Sequence, residues 1–171
     1  MREDIRALQQ RLSLTCLYVT HDQQEALAVS DRIVVMRDGR VAQAGTPEEL
    51  YTRPNSLFVA GFMGDANQLR GVLAADGMLQ VGPLRLQVAA EGVAPGALDV
   101  VVRPEAIRFA AAGLPARVRR ASYMGPAAEY LFDTELGEVF AVMPGGRPVH
   151  RPGDAVTLQF APDGVVPIAG S

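Results

Sequence analysis

Lysine is absent from this chain of 171 residues; all 16 basic side chains are arginine. A phosphate-cradling loop of the Gly-rich type needs a lysine to reach the outer phosphates, so no such loop lies within these residues. A Schiff-base lysine is excluded for the same reason. There is one cysteine, Cys16, which has no partner for an internal disulfide, and a reducing compartment is expected. Long apolar runs are missing: no stretch of about 18 residues could cross a membrane as a helix. The charged start Met1-Arg2-Glu3-Asp4 has no apolar segment behind it and is not a secretory signal. Positive charge is not in excess either. The net charge is −3 and the pI about 5.4, which argues against an electrostatic nucleic-acid binder.

What is present is a globular composition, 49% hydrophobic and 20% charged. Its length suits one ordinary domain or two small ones. Residues 2–12 place Ile5, Leu8 and Leu12 on one helical face. The run "LTCLYV" (14–19) is short, apolar and β-branched, and is expected to be a buried strand. Asp22 can cap a helix reaching about Val29, with Glu25 three residues on as in a capping box. "IVVM" (33–36) reads as a second strand, Asp38-Gly39 as a hairpin turn, and "RVAQAG" as the returning strand. Thr46-Pro47-Glu48-Glu49 is a helix start, and a short helix follows Pro54. The strand-helix-strand order predicts a parallel pair with a short crossover.

From about Asn67 the texture changes. Short alternating runs ("LRLQV", "LDVVVR", "ARVRRASY", "EYLFDTE", "EVFAVM", "AVTLQF") are separated by Gly and Pro turns. This is the pattern of a small all-β barrel or sandwich. An internal echo runs through it. Pro95-Gly96 leads by an apolar run to Arg103-Pro104-Glu105, and Pro152-Gly153 leads likewise to Ala161-Pro162-Asp163. Two related lobes are one explanation; coincidence of common turn residues is the other.

Among candidate site residues, His21 draws attention first. It follows an apolar run and precedes a helix, at the kind of strand end that faces the ligand crevice of α/β sheets. A neutral imidazole there can hydrogen-bond a phosphate oxygen or an attacking water. Taken alone, a histidine in such a place is more often solvated or part of a turn. Arg103 and Glu105 flank Pro104 and either present a polar site to an anion or partner, or form a solvated turn pair. Arg117, Arg119 and Arg120 read as a basic strip or as one solvated strand face. Tyr123 to Gly125 reads as a bend whose glycine permits an unusual dihedral, with Tyr123 packed. His150 is expected to be exposed, and no set of metal ligands is found around it. A hydrolase using His21 with Asp22 is disfavoured, because neighbouring residues on an extended segment point apart and no nucleophile is evident.

The segment "LYVTHDQQEALAVSDRIVVMRDGRVAQAGTPEELYTRPNSLFVAGFMG" resembles the end of the nucleotide-binding domain of ABC transporter ATPases. The resemblance implies that His21 is the switch residue contacting the γ-phosphate and the hydrolytic water. Cys16 to Val19 would be the strand that holds it, and Asp22 to Val29 the helix behind it. The family's Walker A loop, signature loop and Walker B pair are not in this sequence, so the chain resembles the C-terminal piece of a longer subunit and is expected to show no ATPase activity by itself. "VVRPEAIRF", "ASYMGPAAEYLF" and "RPGDAVTLQFAPDGVVPI" resemble the regulatory TOBE domain of importer ATPases.

Together these imply an α/β remnant of a nucleotide-binding domain over 1–65, followed by an all-β, OB-like TOBE domain over 66–171. They further imply ATP and Mg²⁺ in the complete protein, and no cofactor for this chain alone. The implied partners are a second copy bound through the β domain and transmembrane permease subunits, with no nucleic acid and no direct membrane insertion. The implied place is the cytoplasmic face of the cell membrane. Arg103, Glu105, Tyr123 and Gly125 are the regulatory or interface candidates. "FMGDANQL" (62–69) resembles the iron, polyamine and anion importers more than the sugar importers, so the solute set is ferric iron, polyamine, phosphonate or a sulfate-like anion. The alternative is a stand-alone module for a small oxyanion such as molybdate.

Overall fold

The computed structural model describes residues 9 and 11–169. They divide into two compact units, with the boundary between Gly64 and Asp65. The helix expected over 2–12 falls mostly outside the described residues; Gln9, Arg11 and Leu12 are helical.

The first unit contains helix α1 (Gln23–Val29), strands β1 (Ile33–Arg37) and β2 (Arg40–Gly45), and helices α2 (Pro47–Thr52) and α3 (Leu57–Phe62). Its caps follow the sequence. Asp22 accepts from the Glu25 amide at the start of α1. Thr46 and Glu49 form a reciprocal capping box at α2, and Ser56 caps α3. β1 and β2 form an antiparallel hairpin around Asp38 and Gly39, both in the left-handed region (φ 51° and 74°). That is the combination a two-residue turn of matching twist requires. Ile33 and Val35 face inward onto Leu50, Val59 and Met63, while Val34, Met36 and Val41 face out and are exposed.

Two expectations fail here. Residues 14–20 are not a strand: they carry no regular structure, and Leu17 and Val19 are 95% and 88% exposed. The sheet of this unit is the two-stranded β1–β2 hairpin, so the parallel pair does not form either. The physical reason is the same for both. A strand that is apolar on both faces needs a partner on each edge and a cover on each face. Among the described residues no strand pairs with 14–19.

The second unit is all β apart from two 3₁₀ turns. A five-stranded sheet has the order β11-β6-β3-β4-β5, and a four-stranded sheet the order β10-β7-β8-β9. The strands are β3 (Asn67–Leu73), β4 (Met78–Val81), β5 (Leu84–Gln87), β6 (Gly96–Val102), β7 (Ile107–Tyr123), β8 (Ala127–Thr134), β9 (Gly137–Pro144), β10 (Ala155–Phe160) and β11 (Val165–Ile168). Alternation drives the packing: β3 reads buried-exposed throughout, and the inward residues of both sheets join one core. Tyr130 and Phe132 lie in this core, and the partly buried Phe109 packs against it edge-on to both of them. This is the OB-like β fold expected of the second half. The stretches 67–73, 78–81 and 165–168 are additional strands. The first begins with a polar pair, and the other two are only four residues long.

The sequence echo has a structural counterpart. The turns Pro104–Ala106 and Pro162–Gly164 are both 3₁₀. They bond to each other reciprocally: the Arg103 amide donates to the Gly164 carbonyl, and the Ala161 amide to the Ala106 carbonyl. β10 pairs with β7 while β11 pairs with β6. Each lobe therefore completes its sheet with a strand of the other, about a local pseudo-two-fold. Gly164 is required at this junction, because a Cβ there would lie 2.3 Å from the Cβ of Ala106.

Candidate functional site

The corner around His21 is held by its neighbours. The Asp22 amide donates to Thr20 Oγ1 (3.0 Å), and Asp22 Oδ1 accepts from the Glu25 amide (3.0 Å). The Glu25 carboxylate in turn accepts from Tyr18 Oη (3.0 Å) and Thr20 Oγ1 (3.1 Å). Four side chains on either side of His21 thus pin the backbone, while the imidazole itself is exposed. An exposed imidazole on a fixed backbone can offer a hydrogen bond to a phosphate oxygen or a water, with only its own side-chain rotamers left to order. The Glu25 carboxylate serves Tyr18 and Thr20 rather than the backbone of the cap, so only half of the expected capping box forms.

Arg103 is not a surface residue. It is 2% exposed at the entrance to the first 3₁₀ turn, where its Nη1 donates to the carbonyl of Asp65 (3.2 Å). Both sequence readings of Arg103, a polar site for an anion or partner and a solvated turn pair, placed it at the surface. The structure instead spends its charge inside the junction, tying the first residue of the β unit to the paired turns. Glu105, one residue beyond Pro104, is exposed, and its carbonyl accepts from Arg108. Tyr123 and Gly125 lie at the other end of β7, in the β7–β8 hairpin. Gly125 has φ 76°, as its turn requires. Tyr123 is 62% exposed rather than packed. The four interface candidates therefore form two separate places, at opposite ends of one strand.

The arginines of β7 behave as a solvated face with definite partners. Arg119 is bonded to Asp133 and Glu138, and the Asp133 hydrogen bond raises its pKa. Arg117 donates to the Gly153 carbonyl. His150 is half-buried, its ring 4.5 Å from that of Phe109, and its Nδ1 is 3.7 Å from Asp154. No cluster of three metal-ligating side chains occurs among the described residues, and no helix among them is long and apolar enough to cross a membrane.

One residue that organises the β unit escaped the sequence. Asn67 is buried, and its amide donates to the carbonyls of Val102 (3.1 Å) and Phe140 (2.8 Å) while accepting from the Phe140 amide (2.7 Å). It joins the two sheets. Its place after Gly64-Asp65-Ala66 looks like a turn, and only the onset of alternation at Leu69 hints otherwise.

Comparison with known proteins bears on both units. The family model described as the TOBE domain matches residues 100–168. A Fe(3+) ions import ATP-binding protein of Agrobacterium fabrum is 42% identical over 172 residues, covering 96% of this chain and 49% of the relative. The protein of the same description from Brucella abortus is 40% identical with the same coverage. That of Pasteurella multocida is 49% identical over 130 residues, 73% of this chain and 37% of the relative. The chain spans about half the length of the curated relatives it matches.

Proposed function

Because residues 100–168 are a TOBE domain and the chain is homologous to the C-terminal region of ABC importer ATP-binding proteins, we propose that it works as the regulatory and switch-bearing part of an import ATPase, with ferric iron as the solute. The observation that carries this reading is the 42% identity across 96% of the chain to a protein described as importing Fe(3+). Residues 1–65 are the closing segment of the nucleotide-binding domain, and 66–171 the TOBE domain. In the assembled ATPase, His21 contacts the γ-phosphate of ATP and the attacking water, and the fixed Thr20-Asp22-Glu25 corner positions it.

Phosphoryl transfer depends on a phosphate cradle and Mg²⁺ as well as on such a contact. This chain's residues supply the contact alone, and the isolated chain therefore turns over no ATP above background. The subunit pairs with a second copy through the β unit and docks on permease subunits at the cytoplasmic face of the membrane.

A chimera tests this. The corresponding half of the Agrobacterium fabrum relative is replaced by this chain, and ATP hydrolysis and Fe(3+) uptake are measured with the relative's permease. Both are expected to be retained, with His21→Ala lowering hydrolysis at least about 100-fold, the scale of a lost transition-state contact. A folded chimera that hydrolyses ATP but drives no Fe(3+) uptake through that permease would count against the iron assignment. Hydrolysis indifferent to His21→Ala would remove the switch role.

A further inference from the structure

At α1 the capping box is displaced by one step. Glu25 is the third residue of the helix, and in a capping box its carboxylate would return to the Asp22 amide. Here the Asp22 amide donates to Thr20 Oγ1 at 3.0 Å, and Thr20 Oγ1 donates to Glu25 Oε2 at 3.1 Å. A threonine hydroxyl carries one proton, so the direction of this relay is fixed: amide to hydroxyl, hydroxyl to carboxylate. The Tyr18 hydroxyl donates to the same Oε2 at 3.0 Å.

The relay straddles one residue, His21. The peptide group that follows His21 is held through the Asp22 amide, and the residue before it through the Thr20 hydroxyl. Asp22 is gripped a second time, because its Oδ1 accepts from the Glu25 amide. Glu25 thus contributes both its main chain and its side chain to the corner. Thr20 and Glu25 are half-buried while His21 is exposed. Residues 14–20 pair with no strand, so these side-chain bonds carry the regular frame of α1 back across His21 to Thr20 and Tyr18. Bonds to an ionised acceptor are the strong ones of their class.

We propose that Glu25 is a positioning residue for His21. Its carboxylate aims the imidazole through the Thr20 hydroxyl, with Tyr18 as a second anchor. The assignment rests on the switch reading of His21 given above and adds the residue that sets its direction. The role requires an acceptor oxygen at the reach of a glutamate side chain; the negative charge is secondary. A glutamine offers that oxygen, with two lone pairs for the two hydroxyls. An aspartate keeps the charge near the helix N-terminus, where it favours the helix, but it is one methylene too short to meet both donors. Helix stabilisation alone would rank the variants the other way, with aspartate near the natural residue and glutamine below it.

Two measurements test this. Amide relaxation of the whole chain reads the order of residues 20–22. Glu25→Asp and Thr20→Val are each expected to loosen them, Glu25→Gln to keep them ordered, and Glu25→Asp added to Thr20→Val to change little further. An otherwise unchanged amide spectrum establishes that each variant is folded. In the chimera described above, Glu25→Asp should lower kcat about tenfold without changing KM for ATP, less than removal of the imidazole because the contact is misaimed rather than lost. Glu25→Gln should recover most of that kcat. In a His21→Ala background, Glu25→Asp should have no further effect.

A kcat that falls for Glu25→Gln but not for Glu25→Asp would make Glu25 a helix-stabilising charge and overturn the inference. A loss that persists in the His21→Ala background overturns it too, and leaves the switch reading standing. Unchanged order at residues 20–22 in Glu25→Asp likewise removes this role alone. Hydrolysis indifferent to His21→Ala removes the switch reading and this role together.

Discussion

At Asn67 a side chain does the work of a strand. Its amide offers β9 the donor and acceptor that a backbone neighbour would supply, and it holds Val102 as well. Asn67→Ala leaves the part-buried amide and carbonyl of Phe140 without this partner and is expected to lower the stability of the β unit by about 1–3 kcal/mol. Urea titration followed by amide exchange at Phe140 would check it. Glu49 supports a second prediction. The Thr46 backbone amide, more than any other cause, holds its carboxyl below the ordinary carboxylate range; partial burial opposes this, and the Thr46 hydroxyl, Arg32 and Arg53 add to it. A lowered folded value means that the capping box stabilises α2 above the unfolded carboxylate's pKa, and that this contribution disappears as pH falls through the folded value. Thr46→Ala keeps that amide and removes only the hydroxyl, so it should return the Glu49 titration, read by carboxyl NMR, only part of the way towards the ordinary range.

These residues differ in how legible they were. Asp22 and Thr46 announce themselves, because a capping side chain acts on amides two or three residues away. Arg103 and Asn67 act on residues about 38 and 73 positions distant, and no local pattern carries that information. A charged residue before a proline reads as surface until the fold supplies a carbonyl to bury it against.

Elements show the same division. The hairpin, the caps of α1 to α3 and most of the β strands follow from turn residues and alternation, which are local. The run 14–19 was misread because the pattern of a buried strand specifies what the strand needs, not whether its neighbours are supplied. β7 was only half visible. Its 17 residues include five, 110–114, that are skipped in the pairing with β10 between Phe109–Leu158 and Pro115–Thr157, and Gly113, at φ 147°, allows it. A Cβ on Gly113 would stand 2.2 Å from the Leu158 carbonyl oxygen. Gly113→Ala should therefore push β7 away from β10 and destabilise the unit by about 1–3 kcal/mol, the range for a strained backbone position. Amide exchange should rise along β10 before it rises along β8.

For the whole molecule, the unequal cores set the order of loss. The first unit is organised around Ile33, Val35, Leu50, Val59 and Met63, whereas the second joins residues of nine strands and both 3₁₀ flanks in one cluster. Brief chymotrypsin treatment is expected to cut first at exposed Leu17 and Tyr18, and to leave a resistant fragment beginning near Asp65. Mass spectrometry of the time course would show it, and a β unit cleaved as early as residues 14–20 would contradict it.

The reciprocal turns at Ala106 and Gly164 have a consequence for synthesis. While the ribosome is still making residue 150, β7 lacks β10 and β6 lacks β11, so neither lobe has its closing strand. The barrel is an interlock whose last piece is translated last. Its nascent form leaves the exit tunnel with two sheets unfinished, and that interval is when a chaperone has most to shield.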